Sequence, residues 1–255
     1  MSTGATTPAR RGQQPPRLGR YHARWHRVLR FIAQRLVLRP VVSAVTSTTV
    51  EGTDNVEGLS GPFILVANHC SHLDTAVVIS QLPYRLTKQL TVGAAADYFY
   101  ARWWTKAATS LFFNTYPIHR GRSSGKGKGL SQQLLRSGLP IMIFPEGTRS
   151  RDGVMRTFKP GAAMLSATTG LPCLPVALLG TYEAMPVGRF WPVPGRPRVR
   201  VLVGRPMRPH SGESVREFNT RLADRIRTMM TMQTPYVVGD SRRGGQAGRS
   251  QEEAS

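Results

Sequence analysis

Apolar positions recur along this chain with two periods, and the switches between them outline alternating helices and strands. From about Tyr21 to the residue before Pro40, Trp25, Val28, Leu29, Ile32 and Leu36 share one helical face, while Arg24, Arg27, Arg30 and Arg35 supply charge to the others. That spacing predicts an amphipathic helix over residues 20–40, packed against the domain or lying in the headgroup zone of a membrane. Short apolar runs at 45–50, 62–67, 90–94, 116–119, 140–144, 174–179 and 198–203 read as strands. Helices are predicted after Ser71, near 98–110, over 126–137, and from Pro160 to Thr169 with Gly170 as its stop. A closing helix carries Val215, Phe218, Leu222, Ile226 and Met229 on one face behind a Ser214–Glu217 capping box. Strands separated by helices imply an α/β domain over residues 41–237 with a mostly parallel twisted sheet, an antiparallel edge being allowed.

Both ends depart from this pattern. Residues 1–19 and 238–255 are polar, rich in glycine and charge, and without apolar periodicity, so both read as flexible tails. The first tail lacks the apolar segment of a secretory signal, and no uninterrupted apolar run reaches the roughly 18 residues of a clear membrane span. With 255 residues and 40% hydrophobic content the chain can bury one sizeable core. Its two cysteines, Cys70 and Cys173, have no metal-ligand spacing and give no disulfide framework.

Charge narrows the partners. A net +21 and a pI near 11.4 call for an anionic surface or ligand. Nucleic acid satisfies that demand electrostatically, but no zinc-finger spacing, helix-turn-helix signature or aromatic RNA-binding motif accompanies it, so no nucleic acid is expected.

The chemistry sits in two runs. In NHCSHLD, residues 68–74, His69 is a candidate general base and Asp74 a carboxylate able to orient it. Five residues turn through roughly 500° of helix, so the two meet only if His69 lies in a loop before a helix. Ser71 as N-cap satisfies this and puts Asp74 at the third helical position; the bland reading is a simple Ser71–Asp74 capping box. Cys70 beside the base offers a covalent route, but chain neighbours rarely aim at one reaction centre. His72 with His69 and Asp74 makes a poor metal cluster, and no metal is expected.

The second run, FPEGTRS at 144–150, follows a buried strand, where open α/β sheets place ligands. Gly147 permits a tight turn, Thr148 and Ser150 offer hydroxyls, and Arg149 can fork onto a phosphate. Glu146 cannot attract phosphate and reads as an acceptor orienting Arg149 or a glycerol hydroxyl. TYPIHRG at 115–121 delivers Arg120 after another strand, and Lys159 precedes the helix led by Pro160. GRSSGKGKG at 121–129 reads as a flexible connector or a cradle for phosphate groups, and ADYFYARWW at 96–104 as a core helix or an aromatic surface for an apolar chain or a membrane.

In this order, NHCSHLD, IHR, FPEGTRS and LPVAL at 174–178 resemble the successive motifs of the glycerophospholipid acyltransferases, over about residues 43–207. The resemblance implies a single-domain glycerol-phosphate acyltransferase-like fold with an N-terminal amphipathic membrane-contact helix. It implies transfer of a fatty acyl group from acyl-CoA, or acyl carrier protein, to 1-acyl-sn-glycerol 3-phosphate (lysophosphatidate), giving phosphatidate. Glycerol 3-phosphate, another lysophospholipid, and an inactive lipid-binding protein are the other readings. The resemblance assigns base and orienter to His69 and Asp74, phosphate binding chiefly to Arg149 with Arg120, acceptor recognition to Glu146 and Gly147, and cavity walls to Pro175 and Val176. Thr148 and Lys159 complete the expected acceptor site. No cofactor is expected beyond acyl-CoA as donor substrate. The expected location is peripheral or monotopic at the cytoplasmic face of the cell membrane, against anionic phospholipid.

Overall fold

The structure is a computed structural model that describes residues 18–95, 109–118 and 125–231. Arg120, the aromatic run 96–104, nearly all of both expected tails and most of the helix expected near 98–110 lie outside the described residues. The chain opens with α1 (Gly19–His22), α2 (Arg24–Ile32), a π-helical segment (Ala33–Leu38) and α3 (Arg39–Val45). There follow β1 (Ser47–Glu51), β2 (Ile64–Ala67), α4 (Leu73–Gln81), α5 (Tyr84–Thr87), β3 (Thr91–Ala95), β4 (Thr115–Ile118), α6 (Gly125–Arg136) and β5 (Ile141–Ile143). The last elements are α7 (Gly161–Thr169), β6 (Cys173–Leu179), α8 (Thr181–Ala184), β7 (Arg198–Val203) and α9 (Val215–Thr231).

The strands form one seven-stranded sheet in the order β1-β7-β6-β2-β5-β3-β4. All pairs are parallel except β6 with β7, so β1 and β7 run against the other five. Period-2 alternation divides the core between the two faces. Leu65 and Ala67 of β2 join Leu174, Val176 and Leu178 of β6 under α3 and α4, whereas Ile64 and Val66 face α6, α7 and α9. Burying each such large side chain contributes about 1.5–3 kcal/mol. α9 enters through the expected capping box: Ser214 Oγ accepts from the Glu217 N–H at 3.2 Å, and Glu217 Oε2 from the Ser214 N–H at 2.9 Å. α7 ends at Gly170 in the left-handed region, φ 68°.

The N-terminal arm departs from expectation at its end, and its exposure decides between the two placements left open for its stripe. It does not stop before Pro40, because the π-helical segment shifts the hydrogen-bond ladder and Pro40 falls in the first turn of α3, where its missing N–H costs little. Of those two placements, packing on the domain is not the one adopted: Trp25, Val28, Leu29, Ile32 and Leu36 are all exposed, Trp25 at 62% and Leu36 at 66%. The opposite side, with Ala33 and Leu38, is the buried one, and polar side chains anchor it. Arg30 Nη1 donates to Asn114 Oδ1 (2.9 Å), Gln34 Nε2 to the Phe112 carbonyl (2.8 Å), and Arg35 to the carbonyls of Ser80 (3.0 Å) and Leu82 (3.3 Å) and to Thr87 Oγ1 (3.0 Å).

Candidate active site

Asn68 carries the β2–β6 ladder one step beyond Ala67 with its side chain. Its amide donates to the Leu178 carbonyl at 2.9 Å and accepts from the Leu178 N–H at 2.8 Å. The next residue is thereby delivered into the loop at the C-terminal edge of the parallel strands, where α/β folds place ligands. His69 Nδ1 lies 2.8 Å from Asp74 Oδ2, and the imidazole retains 19% side-chain exposure, so it can be reached from solvent. The same Asp74 oxygen accepts the N–H groups of Cys70 (2.8 Å) and Ser71 (2.9 Å). An oxygen already accepting two N–H bonds makes Nδ1 the third donor and leaves the lone pair on Nε2.

The boundary at Ser71 is displaced by one residue. α4 begins at Leu73, so Asp74 is its second residue, not its third. Ser71 Oγ accepts the Leu73 N–H at 3.1 Å and donates to the Met185 carbonyl at 2.7 Å, tying the helix start to the segment after α8.

FPEGTRS closes on His69 from the other side. Glu146 Oε1 accepts the His69 N–H at 2.7 Å, and the Ser150 N–H donates to the His69 carbonyl at 2.8 Å. Phe144 stacks on the imidazole with ring centroids 4.0 Å apart and 15° between planes. The second Glu146 oxygen accepts the Arg156 N–H at 2.8 Å. Glu146 therefore accepts from two backbone N–H groups rather than from Arg149, one of the two partners expected for it, because the buried carboxylate needs fixed donors. Burial pushes its pKa up against the pull of those two N–H groups.

Gly147 has φ +75°, and a Cβ there would stand 2.6 Å from Lys159 Nζ, so the lysine ammonium lies directly over the loop. Thr148 is exposed and Arg149 partly exposed beside it. Ser150 Oγ is engaged with Asp152 Oδ1 at 2.6 Å. His72, half-buried, has its pKa lowered to about 4 by burial first and by the Arg149 charge second, which puts Arg149 within electrostatic reach of the histidine loop. Cys70 is buried, 3.2 Å from Thr181 Oγ1, and burial followed by the Asp74 charge pushes its thiol up to about 12. A thiol so protonated is no nucleophile at neutral pH. Cys173 is likewise pushed up to about 12 by burial.

Pro175 and Val176 do not line an open cavity: both are buried in β6, paired with Val66 and Ala67 of β2. Their side chains support the strand that holds Asn68. Phe144, Asn68 and the Met185 carbonyl were not among the expected site groups, since their parts depend on contacts across 75 or more residues, such as the 110-residue separation of Asn68 from Leu178. Phe144 and Asn68 alone carried a signal, their places at the heads of FPEGTRS and NHCSHLD.

Residues 47–179 match the family model described as Acyltransferase. The chain is 27% identical over 191 residues to a chloroplastic 1-acyl-sn-glycerol-3-phosphate acyltransferase of Brassica napus, a match covering 74% of this chain and 52% of that protein. It is 31% identical over 160 residues to a chloroplastic protein of the same name from Arabidopsis thaliana, covering 62% of this chain and 43% of that one. The chain thus spans about half the length of these curated relatives. Among solved structures, the 1-acyl-sn-glycerophosphate acyltransferase PlsC of Thermotoga maritima shares the fold, with a TM-score of 0.65 and 24% identity over 82% of this chain and 81% of that one. Since the family match takes in more than half of the residues, including both the NHCSHLD and FPEGTRS runs, the protein belongs to the acyltransferase family.

Proposed function

We propose that the protein transfers a fatty acyl group from an acyl-CoA thioester to the free hydroxyl of 1-acyl-sn-glycerol 3-phosphate, forming phosphatidate at a membrane surface. The observation that carries this reading is the His69–Asp74 pair, 2.8 Å apart and clamped through the His69 backbone by a loop that also presents Arg149. The acceptor hydroxyl attacks the thioester carbonyl while Nε2 of His69 takes its proton, Asp74 favouring the imidazolium that forms. Collapse of the tetrahedral intermediate breaks the C–S bond, and His69 returns the proton to the departing thiolate. No acyl-enzyme is needed, in keeping with the high thiol pKa of Cys70. Arg149 and Lys159 bind the acceptor phosphate at the FPEGTRS turn, joined by Arg120.

The exposed stripe of the N-terminal arm, flanked by Arg24 and Arg27, is the membrane contact. Among the described residues no helix is long and apolar enough to cross a membrane. The arginine-rich flank suits the anionic cytoplasmic leaflet.

A donor and acceptor matrix in phospholipid vesicles, with positional analysis of products and a His69→Ala control, tests the reading. The expected result is transfer from acyl-CoA to lysophosphatidate that falls by about 10²–10⁴ in the control, the range for loss of a general base. Transfer to glycerol 3-phosphate alone moves the reaction to the preceding acylation, and undiminished transfer by the control removes His69 as base.

A further inference from the structure

A second exposed apolar feature stands apart from the N-terminal arm. Phe190 and Trp191 are 86% and 58% exposed, with Val187 beside them at 37%. They lie in the connection between α8 and β7, which is held at several points. The Arg189 N–H donates to the Pro186 carbonyl (3.1 Å), the Val193 N–H to the Ala184 carbonyl (2.8 Å), and Arg196 Nη2 to the Ser43 carbonyl (2.9 Å). Prolines 186, 192, 194 and 197 restrict the segment further. Two large rings are therefore kept in water by a constrained backbone, at a position where polar residues would cost the fold nothing.

The location gives them a use. Ser71 Oγ bonds the Met185 carbonyl, so the base of this connection is fastened two residues beyond His69. Because β7 runs antiparallel to β6, the connection emerges at the same sheet edge as the histidine loop. Arg196 fastens its far end to Ser43 in α3, the last helix of the exposed N-terminal arm. In sequence the rings are flanked by the exposed Arg189, Arg196 and Arg198. Aromatic rings rimmed by arginine match the headgroup boundary of an anionic bilayer.

We propose that the Phe190–Trp191 loop is a second membrane contact, which enters the interfacial zone of an anionic phospholipid bilayer and, with the N-terminal arm, turns the His69 edge toward the lipid. This rests on the reading that the acceptor is a membrane lipid. Because the arm is fastened to the domain, two contacts, one on the arm and one beside the histidine loop, define one orientation on the membrane, whereas contact along the arm alone leaves arm and domain together free to roll about that line.

The test uses the full chain with vesicles of phosphatidylglycerol and phosphatidylcholine, comparing wild type, Phe190→Ala/Trp191→Ala and Trp191→Phe. Its readouts are co-sedimentation, tryptophan quenching by brominated lipid, and transfer to vesicle-borne and to short-chain water-soluble lysophosphatidate. The double variant is expected to bind vesicles about tenfold more weakly and to lose a similar factor on the vesicle-borne acceptor, with the soluble-acceptor rate unchanged. Trp191→Phe is expected to remove part of the lipid quenching. Unchanged binding and quenching would overturn the proposal, as would equal loss on both acceptors in a folded variant, which would place the loop's role at the reaction centre. A wild-type dimer that the double variant abolishes would assign the surface to a second copy instead. Loop-dependent binding by a wild type that acylates neither acceptor would uphold the contact and defeat the enzymatic reading.

Discussion

His69 is held by four separate interactions: Asp74 and Phe144 on its ring, Glu146 and Ser150 on its main chain. The first of these was legible in the sequence, because a five-residue spacing closes only around a helix start. The main-chain clamp was not, since a carboxylate that binds a backbone N–H 77 residues away leaves no trace in spacing. Residue chemistry also gives a pH dependence. His72 titrates near 4 in the fold, below its ordinary value of 6.5, so between those values the unfolded chain binds a proton that the folded chain does not. Its contribution is present above pH 6.5 and lost as the pH falls toward about 4. Glu146, with a raised pKa, acts with the opposite sign, losing stability as pH rises through its folded value. The two are separated by denaturant titration of wild type and His72→Gln: the stability difference between them is expected to grow with pH from 4 to 6.5 and then level.

At the scale of elements, periodicity located the strands well because each is short and bounded by turn residues, and those inside the sheet are apolar. It left the N-terminal arm open, its stripe being assignable to core or to membrane. The deciding contacts are the polar ones beneath, and Arg30, Gln34 and Arg35 reach main-chain carbonyls and Asn114 that no helical pattern encodes. Arg30 is only 4% exposed, and burial lowers its pKa. Asn114→Ala removes the acceptor of Arg30 Nη1 at 2.9 Å, and thermal unfolding is expected to show a loss of about 1–3 kcal/mol, the cost of an unsatisfied buried charged donor. The same variant is expected to loosen the arm, with faster amide exchange across α2 than across α4.

For the whole molecule, the sheet brings together what the sequence keeps apart. β2 and β5 are adjacent and parallel, so the runs that follow them, 75 residues apart at His69 and Phe144, meet at one edge. Motif order alone foretold that meeting; the single antiparallel pair, β6 with β7, was foreseen only as an allowance, because strand direction depends on how the 180–197 connection returns. That one reversal keeps the connection on the catalytic edge.

The loop that grips the His69 backbone is also the loop that presents Arg149, and this joins two tasks usually kept separate. On the proposed reading, an acceptor phosphate held at this turn bears on the loop that fixes the base, so recognition of its charge is expected to be expressed in turnover as well as in occupancy. An acceptor with the same acyl chain and hydroxyl but no phosphate, a monoacylglycerol, is then expected to show a depressed kcat even at saturation, and steady-state kinetics would reveal it. Selectivity in such a catalyst is a matter of timing: the wrong molecule can arrive and stay, yet find the machinery slack.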